Sequence, residues 1–75
     1  MNLEAKMTAQ KLGQEIKAQR KKLGMNQSEL AMVSGTGVRF ISDLENGKPS
    51  CELGKTLSVL TNLGLEIQLT THKGA

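Results

Sequence analysis

Apolar side chains recur every three or four residues along this chain up to about residue 64, and every second residue beyond it. The first spacing belongs to helices with one buried face, the second to a strand with one covered face. A first helix is predicted from about Thr8 to Leu23, with Leu12, Ile16 and Leu23 on one face and Gly24 as its stop. Met25 then enters the core. A second helix opens after Asn26, whose side chain can cap it, and Glu29 three residues later completes a capping-box pair. Leu30 and Ala31 give that helix its inner face, and Gly35 closes it in the left-handed conformation that glycine accepts.

The third predicted helix starts near Val38, buries Ile41 and Leu44, and stops at Asn46-Gly47. A connector, Lys48-Pro49-Ser50-Cys51, follows, and its proline keeps the helix from continuing. A fourth helix spans about Leu53 to Leu63, with Leu53, Leu57, Leu60 and Leu63 at helical spacing, a first turn weakened by Gly54, and Gly64 as its end. Four stops at Gly24, Gly35, Gly47 and Gly64 form a consistent set.

Residues 65–71, LEIQLTT, alternate and carry the only strand signal. A lone strand leaves its backbone groups unsatisfied, and even a two-stranded ribbon is marginal without packing. The expectation is that a second copy supplies the partner strand in a two-fold dimer, with Leu65, Ile67 and Leu69 as the dimerisation residues. The alternative is a tail that frays or lies singly against the helices.

Seventy-five residues make one small domain, and with Phe40 as the sole aromatic its core must be aliphatic. The net charge of +3 is mild, but Lys11, Lys17, Arg20, Lys21 and Lys22 crowd one segment opposed there only by Glu15. Such a segment is either a solvated helix face or, beside a DNA-reading motif, a phosphate-facing surface. Lone Cys51 excludes an intramolecular disulfide and, with the one histidine, His72, far away in sequence, an ordinary metal cluster. No apolar run approaches the roughly 20 residues that span a bilayer. The expected protein is soluble and cytoplasmic (nucleoid-associated in a bacterium), with no membrane partner, metal or cofactor. No nucleophile, base and orienting group converge on one element, so no enzyme is expected.

The second and third helices, joined by a glycine-containing turn over residues 26–47, have the layout of a helix-turn-helix DNA reader. Ala31 is expected to be small because the two helices cross closely there. Phosphate clamps are expected where free backbone N–H groups meet DNA, at Gln27 and Ser28 and at the turn of Asn46, Gly47 and Lys48. Base contacts should come from the outer face of the third helix: Val38, Arg39, Ser42 and Asp43. Arg39 suits guanine O6 and N7, and Val38 a thymine methyl. Asp43 would accept from a cytosine amino group, hold Arg39 in position, or simply face solvent. Arg20 and Glu45 invite either an ion pair or two separately solvated charges. Phe40 is expected to pack, the alternative being a place on the DNA backbone or in a protein interface. Met32 and Val33 stand where solvent-facing polar residues are usual, and Ser34 where an apolar one is, which implies a rotated helix or an exposed patch for a protein partner.

The stretch LGMNQSELA (residues 23–31), followed by ISDLENGK (residues 41–48), resembles the Xre/Cro family that includes lambdoid phage repressors, over about residues 10–64. The resemblance implies that Gln27 contacts DNA, that Val38, Arg39 and Asp43 read bases, and that Asn26, Asn46 and Lys48 touch phosphates. It also implies an ion pair between Arg20 and Glu45. Gly37 departs from the family, where Ser or Thr often caps the recognition helix. Beyond the fourth helix, LGLEI (residues 63–67) and the alternating tail are similar to HipB-like antitoxins. That likeness implies a dimer that represses its own operon and binds a HipA-like serine/threonine kinase toxin.

The expected fold is therefore all-α and lambda-repressor-like, four helices plus one C-terminal β-strand that pairs across a dimer. Residues 1–7 would be a flexible arm, 8–64 the DNA-binding domain, and 65–75 the dimerisation strand and tail. The expected function is a homodimeric, sequence-specific repressor of a palindromic operator, with half-sites about one helical turn or more apart, acting as antitoxin in a toxin–antitoxin system. The alternatives are a stand-alone Xre-type regulator and an interaction module that no longer reads DNA.

Overall fold

The computed structural model describes residues 7–71 and places four helices in them: α1 (Ala9–Lys22), α2 (Gln27–Ser34), α3 (Val38–Glu45) and α4 (Leu53–Asn62). Thr8 caps α1 by accepting the Lys11 N–H at 3.0 Å. At α2 the capping box is complete: Asn26 Oδ1 accepts the Glu29 N–H and Glu29 Oε1 accepts the Asn26 N–H, both at 2.8 Å. The four glycine stops all have positive φ, between 68° and 82°. Gly37 offers α3 no side chain to cap it, and α3 nevertheless starts at Val38. The buried face of Ile41 and Leu44 holds that helix, so packing substitutes for the missing cap.

α3 packs between α1 and α2, and α4 lies on α2. Ile16, Leu30, Ala31, Ile41, Leu44, Val59, Leu60 and Leu63 form one aliphatic core. Two longer-range hydrogen bonds tie the frame: Gln19 Nε2 donates to the Leu63 carbonyl at 3.0 Å, and Ser58 Oγ to the Ser34 carbonyl at 3.1 Å. Gly13 allows the close approach of α1 to α3. A Cβ there would lie 2.4 Å from the Leu44 carbonyl oxygen and 2.7 Å from that of Glu45.

The structure corrects three expectations. Among the described residues there is no β-strand: residues 65–71 form no ladder, because a single extended segment in one chain has no neighbour to exchange hydrogen bonds with. Leu65 instead closes α4, its N–H bonded to the Leu60 carbonyl at 2.9 Å, and packs against the core, while Ile67 and Leu69 are 51% and 91% exposed. Second, α4 is turned relative to its leucine repeat. Leu53 and Leu57 are 69% and 44% exposed, and Thr56 and Val59 take the buried side with Leu60 and Leu63. Third, Leu23 is half exposed rather than buried, since it is the residue on which α1 ends and turns away. Residues 1–6 of the expected arm, and His72 with the rest of the tail, lie outside the described residues.

Candidate nucleic-acid interface

Arg20 is the one member of the basic segment that turns inward. Its Nε donates to Glu45 Oε2 at 2.6 Å, one terminal nitrogen to Glu45 Oε1 at 3.0 Å, and the other to the Met25 carbonyl at 2.8 Å. Gln27 Nε2 completes the network by donating to Glu45 Oε1 at 3.0 Å. One carboxylate thus joins the body of α1, the entry into α2 and the last residue of α3. Burial pushes the Glu45 carboxyl up, but the hydrogen bonds from Arg20 and Gln27 and the charges of Arg20 and Lys17 outweigh it and hold the group below its ordinary value. The hydrogen bond to Glu45 raises the Arg20 guanidinium further, against the lowering effect of its burial. Lys17, Lys21 and Lys22 remain on the surface, while Arg20 braces the fold.

At the start of α2, the capping box occupies the Glu29 N–H and leaves those of Gln27 and Ser28 without a partner among the described residues. Two unbonded N–H groups at the positive end of a helix dipole are suited to a phosphate. The turn after α3 is different. The N–H groups of Asn46, Gly47 and Lys48 are already bonded to the carbonyls of Ser42, Leu44 and Asp43 at 3.0–3.1 Å. Any phosphate contact there falls to the exposed side chains of Asn46 and Lys48, which corrects the expectation of a backbone clamp.

On α3, Ile41, Leu44 and Glu45 point inward, and Val38, Arg39, Ser42 and Asp43 occupy the other side. Val38 and Arg39 are exposed, Ser42 and Asp43 half-buried. Asp43 does not hold Arg39; its Oδ2 lies 3.4 Å from Lys48 Nζ. Phe40 packs at the edge of the core with Lys55 Nζ 5.9 Å from its ring centre. Met32 and Val33 are exposed on α2, and Ser34 is buried with its hydroxyl unpaired, so the helix follows its apparent misfit pattern.

This geometry matches known proteins. The helix-turn-helix family model HTH_3 covers residues 16–63. An uncharacterized HTH-type transcriptional regulator, y4mF, of Sinorhizobium fredii (strain NBRC 101917 / NGR234) is 47% identical over 58 residues, 77% of this chain and 76% of that protein. The chain belongs to the Xre-type helix-turn-helix family. Two solved structures are similar across 95% of this Xre-type chain and the whole of theirs, each with 28% identity and a TM-score of 0.81: HipB with the O4 20-mer, and a HipA–HipB–O2–O3 complex. This Xre-type protein is accordingly a DNA-binding transcriptional regulator and not an enzyme. No helix among its described residues is long and apolar enough to cross a membrane, and no group of metal-ligating side chains is found there.

Sequence reasoning missed the Gln27–Glu45 bond, the Asp43–Lys48 pair and the close-approach role of Gly13. The first joins residues 18 apart in the chain and has no local signature. The other two had signals: a glycine inside a helical pattern, and opposite charges on either side of a glycine stop.

Proposed function

We propose that this regulator is a homodimeric, sequence-specific repressor that binds a palindromic operator and represses its own operon. The observation that carries the reading is the outer row of α3, with Val38 and Arg39 exposed and Ser42 and Asp43 half-buried, linked through the Gln27–Glu45 bond to the start of α2, where the Gln27 and Ser28 N–H groups have no partner among the described residues. Asn26, Gln27, Ser28, Asn46 and Lys48 position the duplex by its phosphates, and the row on α3 reads base edges in the major groove. Arg39 is exposed and holds no hydrogen bond or ion pair with another described residue, which leaves its planar fork free for guanine. Arg39→Ala should weaken binding by about 1–3 kcal/mol and relax preference at one position per half-site. An equal loss on all sequences would recast Arg39 as a phosphate contact.

Dimerisation rests on apolar surface rather than on a strand. Ile67 and Leu69 stand exposed beside an open groove of about 490 Å³ that Leu12, Leu60 and Leu65 also line, and burial against a second copy would remove them from water. The double substitution Ile67→Glu/Leu69→Glu spares Leu65, which closes α4. It should give a monomer in sedimentation with unchanged helicity; a dimer mass would exclude the tail as the interface.

The likeness to HipB supports a further role as antitoxin of a HipA-like kinase. The stronger identity to a protein described only as a transcriptional regulator supports the stand-alone alternative. Titration calorimetry with a HipA-type kinase encoded beside this chain separates the two: tight binding supports the antitoxin, and absence of heat, or of such a gene, supports the stand-alone regulator.

A further inference from the structure

Asp43 is an acidic group on a surface that has to approach a polyanion, and the structure gives it a specific neighbour. Gly47, at a φ of 82°, turns the chain sharply after α3, and the Lys48 N–H closes on the Asp43 carbonyl at 3.0 Å. The same turn brings the two side chains together, with Nζ 3.4 Å from Oδ2. Both remain open to solvent, at 33% exposure for Asp43 and 53% for Lys48, so either can exchange its partner. Glu45, the other acidic residue of α3, is buried in the Arg20 network and takes no part.

We propose that Asp43 is a specificity-determining residue that withholds Lys48 from the phosphate backbone until a base amino group replaces the ammonium. A carboxylate only accepts hydrogen bonds. In the major groove, cytosine N4 and adenine N6 offer it a donor, whereas guanine O6 and N7 and thymine O4 are acceptors that repel it. On a matching site, the amino group takes over Asp43 and Lys48 is released to the nearest phosphate, so the number of ion pairs is conserved. On a mismatched duplex, releasing Lys48 would leave the carboxylate facing acceptors, and the lysine stays folded back. Lys48 then strengthens specific complexes and adds nothing to random ones, a discrimination built on repulsion as well as attraction. An exposed pair of this kind contributes little to folding, so it is replaceable without loss of the domain.

The inference rests on the DNA-reading function proposed above. Its test is a set of titrations of the full chain against a random-sequence duplex and against a duplex recovered by selection, across a range of salt. The variants are Asp43→Asn, Lys48→Gln and both together, with helicity as the check on folding. One added phosphate contact multiplies affinity about five-fold at 0.15 M salt relative to 1 M and steepens the log–log salt slope by about 0.9. Asp43→Asn should produce that gain on the random duplex, and the gain should vanish in the Lys48→Gln background. Lys48→Gln alone should lose a similar factor on the selected duplex and leave the random one unchanged. If Asp43→Asn strengthens random binding equally with and without Lys48, the effect is simple loss of repulsion and the inference is overturned. If the parent chain binds neither duplex, the DNA-reading function itself fails.

Discussion

Replacing Arg20 by methionine removes one charge from the centre of the molecule and keeps most of the side chain's aliphatic stem. The Glu45 side chain is 2% exposed, so water cannot substitute for the lost guanidinium. Two charge-assisted hydrogen bonds, at 2.6 and 3.0 Å, disappear, as does the bond to the Met25 carbonyl at 2.8 Å. Among the described residues, Gln27 remains as the one other side chain bonded to the carboxylate. Removing one partner from a buried pair typically costs about 3–5 kcal/mol, most of it the penalty of an uncompensated charge. A domain of 75 residues has a total stability of about 4–11 kcal/mol by the usual per-residue range. With a urea slope of about 1 kcal/mol/M, the unfolding midpoint should fall by about 3 M or more, and the variant should be largely unfolded at the lower end of that range. Arg20→Met/Glu45→Leu should recover much of the loss, because no orphaned charge is left. Gln27 still loses its anchor in the double variant, so DNA binding should stay impaired after folding is regained. Equilibrium urea unfolding followed by circular dichroism measures both variants. A loss under about 1 kcal/mol for Arg20→Met, or a double variant no better than the single, would refute the buried-pair account.

The same carboxylate sets an acid limit. Its folded value is depressed below 4.5, so its contribution is complete above that pH and is lost as pH falls through the folded value. Melting temperatures between pH 7 and 3 should drop more steeply for the parent chain than for Glu45→Gln; parallel curves would remove Glu45 from the cause. Gly13→Ala forces a Cβ against two carbonyl oxygens of the backbone, which cannot move aside cheaply. The overlap should cost about 1–3 kcal/mol or more, outweighing the roughly 1 kcal/mol that alanine gains over glycine inside a helix. Gly54→Ala meets nothing within 4 Å and is the control, expected to stabilise by about 0.4–1 kcal/mol; stabilisation at both sites would contradict the packing described. Asn26→Ala deletes one half of the capping box and should lower stability by about 0.5–2 kcal/mol, with the largest loss of amide protection expected in α2; unchanged exchange there would mean that packing alone holds that helix.

What the chain announces locally, the structure keeps. The capping box of Asn26 and Glu29 and the four glycine stops are contained within five-residue windows, where backbone sterics and one side chain decide the outcome. Ile41 and Leu44 were legible for the same reason, since an eight-residue helix has room for only one apolar stripe. α4 was harder. Its apolar stripe is wide enough to be placed either through Leu53 and Leu57 or through Val59, and contact with α2, not spacing, selects the second. Alternation at 65–71 pointed to a strand with Leu65, Ile67 and Leu69 on one covered face, but a strand requires a ladder that no window of one chain can supply, and of the three only Leu65 packs on the core. In the candidate site the outer row of α3 followed from periodicity, whereas the hydrogen bonds of the Asn46–Lys48 turn did not. Free N–H groups belong to helix N-termini, and this turn is a C-terminus whose N–H groups close back onto α3.

The reading of sequence by the row on α3 is decided by competition binding at physiological salt between a duplex recovered by selection and random duplex of equal length. A specific reader should favour the selected duplex by about a thousand-fold or more, and the recovered sequence should be a palindrome. A ratio near one, with affinity falling on both duplexes alike as salt rises, would contradict it and reduce the motif to a nonspecific phosphate-binding surface.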